Sequence, residues 1–130
     1  MSLKYIHDRK ILHRDIKPEN VLKTKSGVIK FADFGVSKLV SSTLAKASTE
    51  IGTPLYLSPE IVRQEKYDFK TDIWSMGVTL YEICTFKRPF DTTIGIKDLN
   101  EKILKGDFDP LPDKYSQDLK DLIGSMLQVK

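Results

Sequence analysis

The sequence predicts a mainly helical α+β domain in which a short β-hairpin precedes three helices. Three observations carry that expectation. Val21-Leu22-Lys23 and Val28-Ile29-Lys30-Phe31 are short strand-like runs on either side of Thr24-Lys25-Ser26-Gly27, a linker with Gly at its end. Apolar residues recur at helical spacing through three later segments. Between the two halves, residues 36 to 50 hold six Ser or Thr in fifteen positions and no steady period, which reads as a long loop. A chain of 130 residues is one ordinary domain.

Composition narrows the setting. Hydrophobic residues make up 40% and charged residues 30%, a globular balance. The net charge of +3 is too small and too scattered to imply a nucleic-acid partner. A single cysteine, Cys84, cannot form an internal disulfide, so an intracellular, cytoplasmic setting is expected. No run approaches the roughly 18–20 apolar residues that span a bilayer. The N-terminus also lacks the apolar core of a signal peptide, so no membrane association is expected.

In chain order, Leu3 and Ile6 suggest the end of a helix over residues 3 to 9, as though the chain starts within a larger element. The hairpin follows, and antiparallel pairing would set Asn20 beside the Ala32-Asp33 end of its second strand. Gly52-Thr53-Pro54 and Ser58-Pro59 punctuate the exit from the Ser/Thr-rich loop. Thr71 or Asp72 is the expected cap of a helix running to about Thr85. Eight of the twelve residues from Ile73 to Cys84 are apolar, so this helix should be buried on nearly all sides. A second helix carries Ile96, Leu99, Ile103 and Leu104 and ends at Gly106. The third shows Leu119, Leu122, Ile123, Met126 and Leu127 on one stripe, with Ser116 as N-cap. Trp74, Met76, Leu80 and Cys84 read as core.

The chemistry concentrates in His13-Arg14-Asp15-Ile16-Lys17-Pro18-Glu19-Asn20, followed by Asp33-Phe34-Gly35. Phosphoryl transfer needs a carboxylate to orient a hydroxyl, hard oxygen ligands for Mg2+ and a cation for the transition-state charge. Asp15 can supply the first, Asn20 and Asp33 the second, and Lys17 the third. Set against this is a metal site of some other enzyme, built on His13 and the carboxylates.

These segments resemble the C-terminal lobe of eukaryotic protein kinases. His13-Arg14-Asp15 through Asn20 looks like the catalytic loop, and Asp33-Phe34-Gly35 like the metal-binding motif. Ser58-Pro59-Glu60 looks like the motif that closes the activation segment, with Ser in place of the commoner Ala. Lys17, together with Gly52-Thr53-Pro54, is similar to the serine/threonine class. The run from Gly52 to Glu60, then Lys70 to Gly77, and the Tyr115-Ser116-x-x-Leu119-x-x-Leu122-Ile123 tail resemble the NIMA-related family.

The resemblance implies roles. Asp15 would be the catalytic base, with Lys17 on the γ-phosphate and Thr53 hydrogen-bonded within that pair. Lys17, Glu19, Asn20, Leu22 and Asp33 would surround ATP, with Leu22 flooring the adenine pocket and Asn20 and Asp33 holding Mg2+. Arg14 would face a phosphorylated activation loop, whose modified residue would be Thr49 or, second, Ser48; plain solvated hydroxyls are the competing reading there. His13, Phe34, Gly35, Glu60 and Asp72 would be structural, Asp72 anchoring the catalytic-loop backbone and Glu60 pairing with an Arg beyond the chain.

The seven glycines form no G-x-G-x-x-G, so the chain is expected to be a partial kinase domain, residues 1 to 130, without the N-terminal lobe or the final helices. The implied activity is transfer of the ATP γ-phosphate to Ser/Thr hydroxyls of protein substrates. A catalytically inactive lobe that binds a kinase or regulatory partner is the alternative. Cytoskeletal or nuclear association is compatible with either.

Overall fold

The computed structural model describes residues 2–32, 38–39 and 54–129. The first helix, α1 (Ser2–Asp8), closes in a turn where Lys10 takes a positive φ of 61°, and leads into β1 (Ile11–Leu12). The residues of the catalytic-type motif follow, ending in a 3-10 turn, Pro18–Asn20. Proline suits the first position of such a turn because its missing N–H would lack a partner there anyway.

The hairpin forms as expected from β2 (Val21–Lys23) and β3 (Ile29–Phe31), with Val21 opposite Phe31 and Lys23 opposite Ile29. Gly27, at φ 86°, supplies the left-handed residue that the tight connection requires. A second two-stranded sheet departs from expectation. Lys38–Leu39 (β4) pairs antiparallel with β1, Ile11 facing Leu39, inside the segment read as loop. Two-residue strands are too short to show a period, and their partner is remote in sequence.

A 3-10 turn at Pro54–Tyr56 precedes α2 (Pro59–Val62), a one-turn helix where Ser58-Pro59 was expected only to break the chain. The long helix α3 spans Lys70–Thr85. Neither Thr71 nor Asp72 caps it; Phe69 holds the N-cap position and makes no side-chain cap bond. Asp68 accepts the Lys70 amide at 2.7 Å, while Thr71 and Asp72 lie inside the helix, buried, with their side chains committed elsewhere. The expectation of burial on nearly all sides holds for Trp74, Ser75, Val78, Thr79 and Tyr81 but not for Ile83, which is exposed; Met76, Leu80 and Cys84 are half-buried. α4 (Ile96–Lys105) ends at Gly106, φ 69°, and α5 (Gln117–Met126) starts at Ser116, whose hydroxyl accepts the Leu119 amide. Ile96 and Leu122, both part of the apolar spacing of their helices, are exposed.

The core is built on α3. Trp74 stacks on Phe90 with ring centres 5.5 Å apart, and Phe108 meets Phe90 and Tyr81 edge to face. Leu99, Ile103, Leu111, Ile123 and Leu127 close around them. At Gly77, α3 and α5 come so close that an added Cβ would lie 2.8 Å from Met126 Cβ. Among the described residues no helix is long and apolar enough to cross a membrane.

Candidate functional site

The site is organised by one buried carboxylate. Asp72, on the first turn of α3 and fully buried, accepts the His13 amide on Oδ2 and the Arg14 amide on Oδ1, each at 2.9 Å. Its Oδ2 also lies 2.8 Å from His7 Nε2. Two successive amides can converge on one carboxylate only if the backbone turns sharply between them. Arg14 accordingly takes φ 69°, a left-handed conformation that costs a non-glycine residue about 1–2 kcal/mol. Asp72 thus accepts two successive amides of the loop across the left-handed Arg14.

The reversal sorts the next side chains. His13 and Ile16 point into the core, where the His13 ring meets Phe31 edge to face at 5.6 Å. The Asp15 amide donates to His13 Nδ1 at 3.4 Å, which places a neutral ring's proton on Nε2. Asp15 faces the open side. Its Oδ2 lies 2.8 Å from Lys17 Nζ and accepts from Asn20 Nδ2 at 2.8 Å. The same Nδ2 donates to the Asp15 carbonyl at 2.8 Å.

Carbonyl and carboxylate oxygens can only accept, so the amide orientation of Asn20 is fixed, and its Oδ1 is the atom turned away from Asp15. That leaves a hard oxygen of the type Mg2+ takes, so the residue fits the ion. The backbone carbonyl of Asn20 accepts the Ala32 amide at 2.9 Å, so the hairpin end meets the loop as the register requires. Asp33, Phe34, Gly35, Ser48, Thr49 and Thr53 lie outside the described residues. Leu22 stands 52% exposed on β2, and Glu19 is exposed in the 3-10 turn.

The two imidazoles do not form a metal site together. His7 is bonded to Asp72 and His13 faces the Asp15 amide, and among the described residues no group of three His, Cys, Asp or Glu side chains gathers. Glu60, on the first turn of α2, is already engaged within the chain. It is half-buried and accepts the Thr71 hydroxyl at 2.7 Å.

Sequence reasoning missed two contributors. His7 sits 65 residues from Asp72, and no local pattern announces such a bond. Tyr56 donates to Glu82 Oε2 at 2.6 Å. Burial, with help from Glu82, pushes the Tyr56 phenol well above its ordinary pKa, and Glu19 adds to the shift.

Comparison with known proteins now decides the family. A family model described as the protein kinase domain matches residues 1–130. The chain belongs to the protein kinase family. Among the protein kinases it resembles, it is 46% identical over 128 residues to serine/threonine-protein kinase Nek1 of Mus musculus, covering 98% of this chain and 11% of the relative. It is 46% identical over 130 residues to serine/threonine-protein kinase Nek5 of Homo sapiens, covering 99% and 18%. It is 49% identical over 119 residues to G2-specific protein kinase nimA of Emericella nidulans, covering 92% and 17%. The chain thus spans less than a fifth of the length of these kinases.

Proposed function

We propose that the chain is the C-terminal lobe of a NIMA-related serine/threonine kinase, and that the intact protein transfers the ATP γ-phosphate to Ser or Thr hydroxyls of proteins. The observation that carries this reading is the Asp15–Lys17–Asn20 cluster on a loop held by Asp72. In transfer, the substrate hydroxyl oxygen bonds to the γ-phosphorus as the bond to the β-phosphate bridging oxygen breaks, and the hydroxyl proton passes toward Asp15. Lys17, beside Asp15, is placed to meet negative charge on the transferring group. Asn20 and Asp33 would hold Mg2+, which when bound neutralises phosphate charge.

Exposed Leu22 suits an adenine floor, with Glu19 at the margin of the nucleotide site. Thr53 would complete the Asp15–Lys17 pair, and Arg14 would receive a phosphate carried on Thr49 or Ser48. The reading sets the protein inside the cell, in keeping with the single cysteine of this chain.

The test is Asp15→Asn in the intact protein, assayed for phosphate transfer from Mg-ATP to a protein substrate. Turnover should fall by roughly 10²–10⁴, the worth of a positioned acid–base group, with nucleotide binding retained. Unchanged turnover would remove Asp15 from this role.

A further inference from the structure

From Asn20 to Ala32 the chain holds three lysines and no Asp or Glu. All three, Lys23, Lys25 and Lys30, stand exposed on the β2–β3 hairpin or its turn. Elsewhere Lys4, Lys102 and Lys120 meet the carboxylates of Asp8, Asp98 and Asp113 at 2.7, 3.0 and 2.9 Å. Among the described residues no carboxylate pairs with a hairpin lysine. Val28 and Ile29 stand among these cations, each 53% exposed. The register sets Lys23 opposite Ile29 and Leu22 opposite Lys30, so a cation and an apolar side chain share each face of the hairpin.

The tip is braced. Thr24 donates its amide to the Val28 carbonyl and accepts the Gly27 amide on its own carbonyl, each at 2.9 Å. Its hydroxyl accepts the Val28 amide at 3.0 Å and lies 2.9 Å from Ser26 Oγ. A turn already fixed in this way loses little conformational freedom on docking. Like charge on three lysines repels a second copy of the same hairpin. The complement is a segment of opposite sign with apolar side chains of its own. Residues 23 to 30 hold no aromatic side chain on which a base could stack, which argues against a nucleic acid.

We infer that the tip of the hairpin, residues 23 to 30, is a docking surface for an acidic segment of a partner protein. Its carboxylates meet Lys23, Lys25 and Lys30, and its apolar side chains cover Val28 and Ile29. None of these five residues belongs to the Asp15–Lys17–Asn20 cluster, so docking is measured without turnover.

The experiment titrates the intact protein by calorimetry with two octapeptides capped at both ends, one of alternating Glu and Val, the other of alternating Lys and Val. The Glu peptide should bind saturably with a Kd at or below about 1 mM, more weakly as salt rises, and the Lys peptide should not bind. Lys23→Gln, Lys25→Gln and Lys30→Gln together should weaken the Glu peptide by roughly 3–100-fold, the range set by three exposed ion pairs. Ile29→Thr, which keeps a β-branched residue in the strand, should weaken it severalfold. Lys23→Glu, Lys25→Glu and Lys30→Glu together should reverse the preference, so that the Lys peptide binds and the Glu peptide does not. A hairpin that had merely misfolded would gain no such partner. No saturable binding of the Glu peptide, equal binding of the two peptides, or an affinity untouched by the Gln variant would overturn the proposal. Displacement of the Glu peptide by phosphatidylserine vesicles or by single-stranded oligothymidylate, at concentrations below those of the peptide itself, would overturn it too and give the surface to a lipid or a nucleic acid.

Discussion

Asp72→Asn probes most directly how α3 shapes the loop from His13 to Asn20. The carboxylate offers two acceptor oxygens, Oδ2 to the His13 amide and His7, and Oδ1 to the Arg14 amide. Asparagine keeps one oxygen and replaces the other with a donor. With its oxygen at the Oδ2 position, the Arg14 N–H faces an NH2 group; reversed, the His13 N–H does. Either way one buried amide loses its acceptor, and the surviving bond loses its charge assistance. Together these cost about 2–4 kcal/mol. Against a typical total of about 5–15 kcal/mol, that is a large share. Urea unfolding of the intact protein should show a lower midpoint with an unchanged slope. Amide exchange at His13 and Arg14 should quicken as the strained φ of Arg14 relaxes. A loss below about 0.5 kcal/mol, with both amides exchanging as before, would refute the argument that one carboxylate holds this loop.

Other perturbations follow from the same geometry. Gly77→Ala would push a Cβ to 2.8 Å from Met126 Cβ and 3.0 Å from Leu127 Cδ2, so despite alanine's better helix propensity it should destabilise by about 1–3 kcal/mol in denaturant unfolding. Asp68→Ala removes the acceptor of the Lys70 amide and should cost about 1 kcal/mol, read by the same assay. Tyr56→Phe addresses pH. The folded chain holds the Tyr56 proton more tightly than the unfolded one, so above tyrosine's ordinary value near 10 the unfolded state releases it first and folding stability declines. The variant should show a shallower alkaline decline in unfolding midpoint, and identical slopes would refute the assignment.

The loop from His13 to Asn20 was legible because its chemistry is contiguous: the carboxylate, amine and amide lie within six residues and fold back on one another. The helices were legible through their period, yet their ends were not all so. Asp68, Thr71 and Asp72 are each good caps by type, and only burial separates the one that bonds the first amide of α3 from the two that turn inward. The β1–β4 pair left no signal, since two residues per strand cannot display alternation. Contacts such as His7 with Asp72, or Tyr56 with Glu82, are single bonds across 65 and 26 residues, and nothing local encodes them.

The span between Asp72 and the loop it holds has a further consequence, for the order in which the chain can mature. The His13 amide and its acceptor lie 59 residues apart. At a synthesis rate of about 5–20 residues per second, the loop leaves the ribosome roughly 3–12 s before Asp72 does. During that interval Arg14 has no reason to stay left-handed, and Ile16 and the His13 ring have no core to enter. The loop from His13 to Asn20 is made before α3 but must wait for it before taking shape, exposing apolar surface to any chaperone that meets it first.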